Sequence, residues 1–87
     1  RIANDSKFGL AAGVWTRDSA RGIRMAERIA AGTVYINNYF NATTQSPVGG
    51  YKQSGYGREN GIEGMKAFLQ TKSVWLATEP NQPNPFA

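Results

Sequence analysis

Apolar and polar positions along this chain follow two different periods. The stretch "GLAAGVWT", Gly9 to Thr16, is short and largely apolar and closes on Val-Trp-Thr. That pattern predicts a strand buried on both faces. Ala11, Ala12 and Gly13 are poor strand formers, so close packing on both sides has to favour them there. From Asp18 the period lengthens. Arg17, Arg21, Arg24 and Arg28 recur at spacings of four, three and four, while Ile23, Ala26, Ile29 and Ala30 make the opposite apolar face. This predicts a helix with Asp18 as N-cap and Gly32 as the glycine that stops it. "TVYINNY", Thr33 to Tyr39, is β-branched and aromatic and reads as a second strand. Strand, helix and strand with such short links predict a βαβ unit, its strands parallel and its crossover right-handed.

Residues 40–57 show neither period. A segment of that length in a domain is usually functional or mobile. "GRENGIEGMKAFLQ" then predicts a second helix, with Ile62, Met65 and Leu69 as its stripe, Phe68 beside it, and Glu59, Glu63, Lys66 and Gln70 turned away. Gly61 and Gly64 each cost about 1 kcal/mol relative to Ala, which points to a close backbone neighbour. "KSVWLAT" predicts a third strand, with Val74 and Leu76 on one face and Ser73, Trp75 and Ala77 on the other. The tail "EPNQPNPFA" carries three of the four prolines and predicts no regular structure. The fold class is α/β, but the sheet is incomplete. Parallel strands want helices on both faces, so the remaining cover is expected from a longer chain or another subunit. "RIANDSKFGL" reads as the last turn of a helix followed by an exit at Asn4 and Asp5, which favours a piece of a longer protein over a trimmed small one.

Composition narrows the chemistry. The chain has 87 residues, 40% of them hydrophobic, and neither cysteine nor histidine. A disulfide framework, a zinc-finger spacing and any Ser-His or Cys-His nucleophile are excluded within it. The absence of cysteine fits the cytoplasm. The charge of +4 is spread from Arg1 to Lys72. It forms no clustered stripe with interleaved aromatics, so a nucleic-acid partner is not expected. No apolar run approaches the length of a membrane span.

The stretch "PVGGYKQSGYGRENG", Pro47 to Gly61, holds five of the ten glycines. It is not a phosphate cradle. The dinucleotide fingerprint G-x-G-x-x-G follows a strand directly, whereas here the last spacing is one residue too long and the preceding residues are loop; the Walker A pattern is absent. The glycines suit turns with positive φ. The interleaved Tyr51, Lys52, Tyr56 and Arg58 also suit a loop lying on a neighbouring surface.

"ANDSKFGLAAGVWTRD", "AGTVYINNY", "SPVGGYKQSGYGRENG" and "TKSVW" resemble, in order and spacing, the C-terminal part of the NAD(P)-dependent aldehyde dehydrogenase superfamily, over residues 3 to about 76. "GGYKQSG" followed by "GRENG" is similar to its betaine-aldehyde branch. The resemblance implies a division of the chain. Residues 1–70 would be the end of an α/β catalytic domain, with a substrate-entrance loop at about 40–57. Residues 71–78 would be a terminal oligomerisation strand and 79–87 an irregular tail. It places the cysteine nucleophile, the glutamate base and the domain that binds NAD or NADP upstream, so the 87 residues alone are expected to be inactive. In the whole enzyme a thiolate would attack the aldehyde, hydride would pass to nicotinamide, and water would release the acid.

For single residues the resemblance implies the following. Asn37 lies near the active-site wall or bonds only to backbone. Phe40 is an aromatic wall of the entrance or a solvent-facing loop residue. Ala42 and Val48 stand where relatives often carry aromatic side chains, which would widen the mouth for a bulkier aldehyde. The carbonyls of Lys52 and Gly55 match a monovalent-cation site, for potassium. Glu59 matches a buried proton path, against the alternative of an exposed first-turn glutamate. Arg58 matches an interface arginine whose acidic partner is replaced here by neutral Gln70. Val74, Trp75 and Leu76 would pair across subunits of a homodimer or homotetramer. The remaining partners would be the rest of the chain and a small aldehyde. Two other readings stand beside this one: an independent oligomerisation or peptide-binding module acting through the third strand's edge, and a basic nucleic-acid-binding domain.

Overall fold

A computed structural model describes residues 1–79 and 83–86. Its elements run β1 (Phe8–Gly9), β2 (Ala11–Val14), α1 (Ser19–Arg28), β3 (Thr33–Ile36), β4 (Tyr51–Lys52) and α2 (Gly61–Lys66). β2 and β3 pair in parallel, Ala11 opposite Thr33 through Val14 opposite Ile36, with α1 between them in sequence. β1 and β4 pair antiparallel, Phe8 opposite Lys52 and Gly9 opposite Tyr51. The chain is thus mixed α/β.

α1 begins as its sequence dictates. Asp18 is extended at φ −97°, and its Oδ1 accepts the Arg21 N–H at 3.1 Å, satisfying one of the orphan donors of the first turn. Its end differs from expectation. The helix stops at Arg28, four residues before Gly32, with Ile29 extended as the C-cap. The cause is Asn4. Its Nδ2 donates to the Arg28 carbonyl at 2.7 Å and its Oδ1 accepts the Ala30 N–H at 2.8 Å. One side chain closes the exit, and no left-handed glycine is needed.

Four further expectations change. The strand read over Gly9–Thr16 is two strands, and it is not buried on both faces: Ala11 and Gly13 are exposed within this chain. The strand read to Tyr39 ends at Ile36, because Asn37 turns left-handed at φ 57°. The segment 40–57 is not free of regular structure. It contains β4, and Val48 pairs antiparallel with Glu59, so the loop is closed at its base. A strand of two residues shows no period, which is why the pattern hid it. The second helix covers only Gly61–Lys66. Glu59 precedes it rather than lying in its first turn, and Phe68 and Leu69 close i→i−3 turns after it.

The segment 71–77 has no ladder partner among the described residues. Its Val74, Trp75 and Leu76 are 82%, 94% and 86% exposed. A strand needs a neighbour's N–H and C=O groups, and this chain supplies none. The irregular-tail reading falls partly on residues 80–82 and 87, outside the described residues.

The interior is unusual in kind. Among the described residues the buried ones are Gly9, Gly22, Gly50, Gly64 and Ala31, and Ala31 alone is a buried hydrophobic side chain. What packs inside this chain is backbone against backbone. Its large apolar side chains, including Ile62, Met65 and Leu69 of the predicted stripe, face outward.

Candidate functional site

β3 and the residues after it build the site. At the end of the strand the Asn37 N–H donates to the Val14 carbonyl at 2.8 Å. The Asn37 side chain then extends the ladder: Oδ1 accepts the Thr16 N–H and Nδ2 donates to the Thr16 carbonyl, both at 2.9 Å. Asn is among the few residues that tolerate the left-handed region, and here its side chain imitates a strand partner while the backbone turns away. The Asn37 side chain thus bonds to backbone, as one of the two readings from sequence had it; these contacts do not bear on the other, a place near an active-site wall.

The turn sets an aromatic cluster on Tyr39. Its ring lies 5.0 Å from Tyr35, 5.3 Å from Phe40 in an edge-on arrangement, and 6.4 Å from Trp15. Tyr35, Tyr39, Phe40 and Val48 share one cleft of about 170 Å³ with Leu10 and Thr33. Enclosed ligand pockets are larger, roughly 300–1,000 Å³, so this cleft alone would not enclose a ligand. Aromatic faces of this kind hold apolar groups and, through their quadrupoles, quaternary ammonium ions. Phe40 is held at φ 61°, a region costly for an aromatic residue and populated where surrounding structure enforces it.

The structure therefore brings Phe40 and Val48 together. It places Ala42 exposed outside the lining of that cleft, and Asn37 in a separate open cleft beside Trp15, Thr16 and Arg17. Sequence reasoning missed Trp15, Tyr35 and Tyr39. A signal was available: three aromatic residues fall within Tyr35–Phe40, and a parallel neighbour ending in Val-Trp brings a fourth alongside.

The glycine stretch lies on this chain's own residues 4–10. The Gln53 N–H donates to the Lys7 carbonyl at 3.0 Å, and Ser54 Oγ accepts the Gly9 N–H at 2.9 Å. Lys52 Nζ donates to the carbonyls of Asn4 and Ser6 at 2.8 and 3.0 Å. The Lys52 carbonyl accepts the Gly55 N–H at the long distance of 3.5 Å. Arg58 bonds the carbonyls of Gly50 and Gly57 at 3.1 and 2.6 Å, with its guanidinium 5.6 Å from the centre of the Tyr51 ring. Glu59 is exposed, its backbone spent on the pair with Val48, and Gln70 is exposed. The loop amides of Gln53, Ser54, Gly55, Glu59 and Gly61 all donate to carbonyls of this chain. They are not gathered for a phosphate, so the stretch does not fit a nicotinamide cofactor. Among the described residues no group of three or more Asp, Glu, His or Cys side chains is placed to hold a metal ion, and no helix is long and apolar enough to cross a membrane.

The Asn37 clamp can be tested directly. In the full-length protein Asn37→Ala is expected to cost about 2 kcal/mol, from the two exposed hydrogen bonds and the left-handed backbone that Ala disfavours. Asn37→Gly removes the bonds but not the permissive backbone, and should cost about 1 kcal/mol less. Urea midpoints of the two variants measure the difference.

The described residues thus set an aromatic cluster on one cleft, beside a glycine loop bound to residues of the same chain. The sequence profile of the aldehyde dehydrogenase family matches residues 1–74, and the chain belongs to that family. It is 46% identical over 79 residues to the NADP/NAD-dependent aldehyde dehydrogenase PuuC of Escherichia coli, covering 91% of this chain and 16% of that protein. It is 54% identical over 74 residues to the betaine aldehyde dehydrogenase of Brucella anthropi, covering 85% and 15%. Among solved structures, the betaine aldehyde dehydrogenase of Staphylococcus aureus in complex with NAD+ superposes with a TM-score of 0.91 at 44% identity, covering 98% of this chain and 17% of that one. The chain thus spans about a sixth of the length of these relatives.

Proposed function

We propose that this chain is the C-terminal part of an NAD(P)+-dependent aldehyde dehydrogenase that oxidises an aldehyde to a carboxylic acid. It contributes a wall of the substrate approach and contacts between subunits. The observation that carries this reading is the meeting of Phe40 and Val48 in one aromatic cleft, within the residues that match the family. The chain has no cysteine, so the reacting thiolate would come from the rest of the protein, and the family resemblance implies the same of the glutamate base and the nicotinamide site. The names of its relatives, one NADP/NAD-dependent and one in complex with NAD+, support either nicotinamide.

The wall of Tyr35, Tyr39 and Phe40 suits an aldehyde with a bulky apolar or quaternary-ammonium end. On the family resemblance Val48, which lines the cleft, stands where relatives often carry aromatic side chains and would leave room for it. The exposed Val74, Trp75 and Leu76 support a strand that adds to a second copy in a cytoplasmic dimer or tetramer, with Arg58 and Gln70 near the same contact. The Lys52 carbonyl, which accepts a long bond from the Gly55 N–H, would with the Gly55 carbonyl face a potassium ion. The exposed segment also suits a peptide-binding module, a reading that a thiol nucleophile and a glutamate base elsewhere in the protein would remove.

The test is the full-length protein assayed with a panel of aldehydes and both nicotinamides, following formation of reduced nicotinamide. Oxidation of no aldehyde overturns the proposal. Val48→Trp is expected to raise KM for bulky aldehydes by about tenfold and to leave a two-carbon aldehyde within about twofold, since filling a mouth alters binding before chemistry.

A further inference from the structure

One side chain joins two motifs that lie far apart in sequence. Lys52 Nζ donates to the carbonyls of Asn4, 48 residues away, and Ser6, 46 residues away. The backbone beside it is bound to the same segment, through the β1–β4 pair, the Gln53 N–H on the Lys7 carbonyl and the Gly9 N–H on Ser54 Oγ. Lys52 itself stands at φ 53°, in the left-handed region that a lysine avoids. Such a conformation persists where its surroundings over-determine it. Asn4 carries the connection onward, since its side chain closes the exit of α1 at Arg28 and Ala30. Lys52 is therefore tied to the end of α1 through a single residue.

In the other direction the constraint runs four residues to Val48. The Gly50 carbonyl is held by Arg58 at 3.1 Å. Val48 exchanges two backbone hydrogen bonds with Glu59, at 2.9 and 2.7 Å. The path from Asn4 to the cleft is thus made of strand pairs and charged hydrogen bonds, which are stronger than neutral ones. An ammonium suits the place, because its donors radiate from one atom and can serve two carbonyls at once.

We infer that Lys52 is a positioning residue. Its ammonium, held by the Asn4 and Ser6 carbonyls, fixes the glycine loop against residues 4–9 and so sets where Val48 stands beside Tyr39 and Phe40. It touches no substrate. The inference rests on the proposed reading of that cleft as part of the substrate approach.

Two measurements on the full-length protein test it. In the first, the native protein is treated briefly with acetic anhydride and mapped by mass spectrometry. Lys52 is expected to react at least about tenfold more slowly than in the urea-unfolded protein, because its ammonium must leave two carbonyls before it can be acylated. Reaction at the unfolded rate overturns the inference, whether or not the protein oxidises aldehydes. In the second, Lys52→Met is expected to raise KM for the aldehyde about fivefold with kcat within about twofold, and Lys52→Arg to recover most of the loss. A wild-type KM in Lys52→Met, or a fall in kcat at constant KM, overturns it. Should Lys52→Met fail to fold, the acylation rate decides. A full-length protein that oxidises no aldehyde, yet protects Lys52, defeats the proposed function and leaves the loop anchor standing.

Discussion

Prepared as residues 1–87 alone, the polypeptide is expected to melt without a cooperative transition. A folded chain of this size has a radius of gyration of about 12 Å, and this one has 21.2 Å. Its accessible surface is 8069 Å², against about 5,000 Å² for a closed monomer of the same mass. The excess, about 3,000 Å², is of the size that obligate interfaces bury. Its chemistry agrees, because Ile62, Met65, Phe68, Leu69, Val74, Trp75 and Leu76 are all exposed while, among the described residues, Ala31 is the buried hydrophobic. Cooperative melting requires apolar side chains that lose their cover together, and here Val14, Val34, Tyr35, Ile36 and Val48 are only half-buried. A closed domain of this length would absorb about 60 kcal/mol at its midpoint; calorimetry on the isolated polypeptide should find a small fraction of that. The full-length protein should melt sharply. A sharp, concentration-independent transition from a compact monomer of the isolated 87 residues would overturn the argument.

What could be read from sequence was whatever depends on neighbours in the chain. The Asp18 cap needs only Arg21, three residues on. The α1 faces need only a period, and the parallel pairing of Ala11–Val14 with Thr33–Ile36 follows from short links and handedness. Phe40 and Val48 were singled out by resemblance, and both line one cleft. What stayed hidden depends on distant backbone. Asn4 ends a helix whose last carbonyl lies 24 residues away, and no local pattern announces such a cap. β1 and β4 are two residues each, too short for alternation to show. Ile62, Met65 and Leu69 gave a correct helical period but a helix only through Lys66, after which Phe68 and Leu69 close tighter i→i−3 turns. Tyr39 was passed over because its neighbours Tyr35, Trp15 and Phe40 meet only once Asn37 turns the strand.

In the full-length protein Gly32→Ala is expected to be far more damaging than Gly55→Ala, although Gly55 has the more demanding backbone. Gly32 does not have a positive φ, so conformation alone would admit any residue. Space would not. A Cβ there would run into the carbonyl oxygen of Gly49 and lie 2.8 Å from its carbon. Neither side can easily retreat. The Gly32 N–H is bonded to the Gly9 carbonyl at 3.0 Å, and Gly49 follows the Val48–Glu59 pair that closes the loop. A side chain that meets another side chain can rotate away, but one that meets a fixed carbonyl must move the strand or the loop. Overpacking of that kind costs about 3 kcal/mol or more. At Gly55, φ is +112° and nothing lies within 4 Å of the place a Cβ would take, so an alanine pays only the conformational cost of about 1–2 kcal/mol. Urea midpoints should therefore separate the two variants by at least about 1 kcal/mol, with Gly32→Ala close to the limit of soluble expression. Equal stability of the two would mean that glycine serves turn geometry here. The predicted order would mean that it lets β3 and the glycine loop pass backbone on backbone, which is the contact that carries Val48 to the aromatic wall.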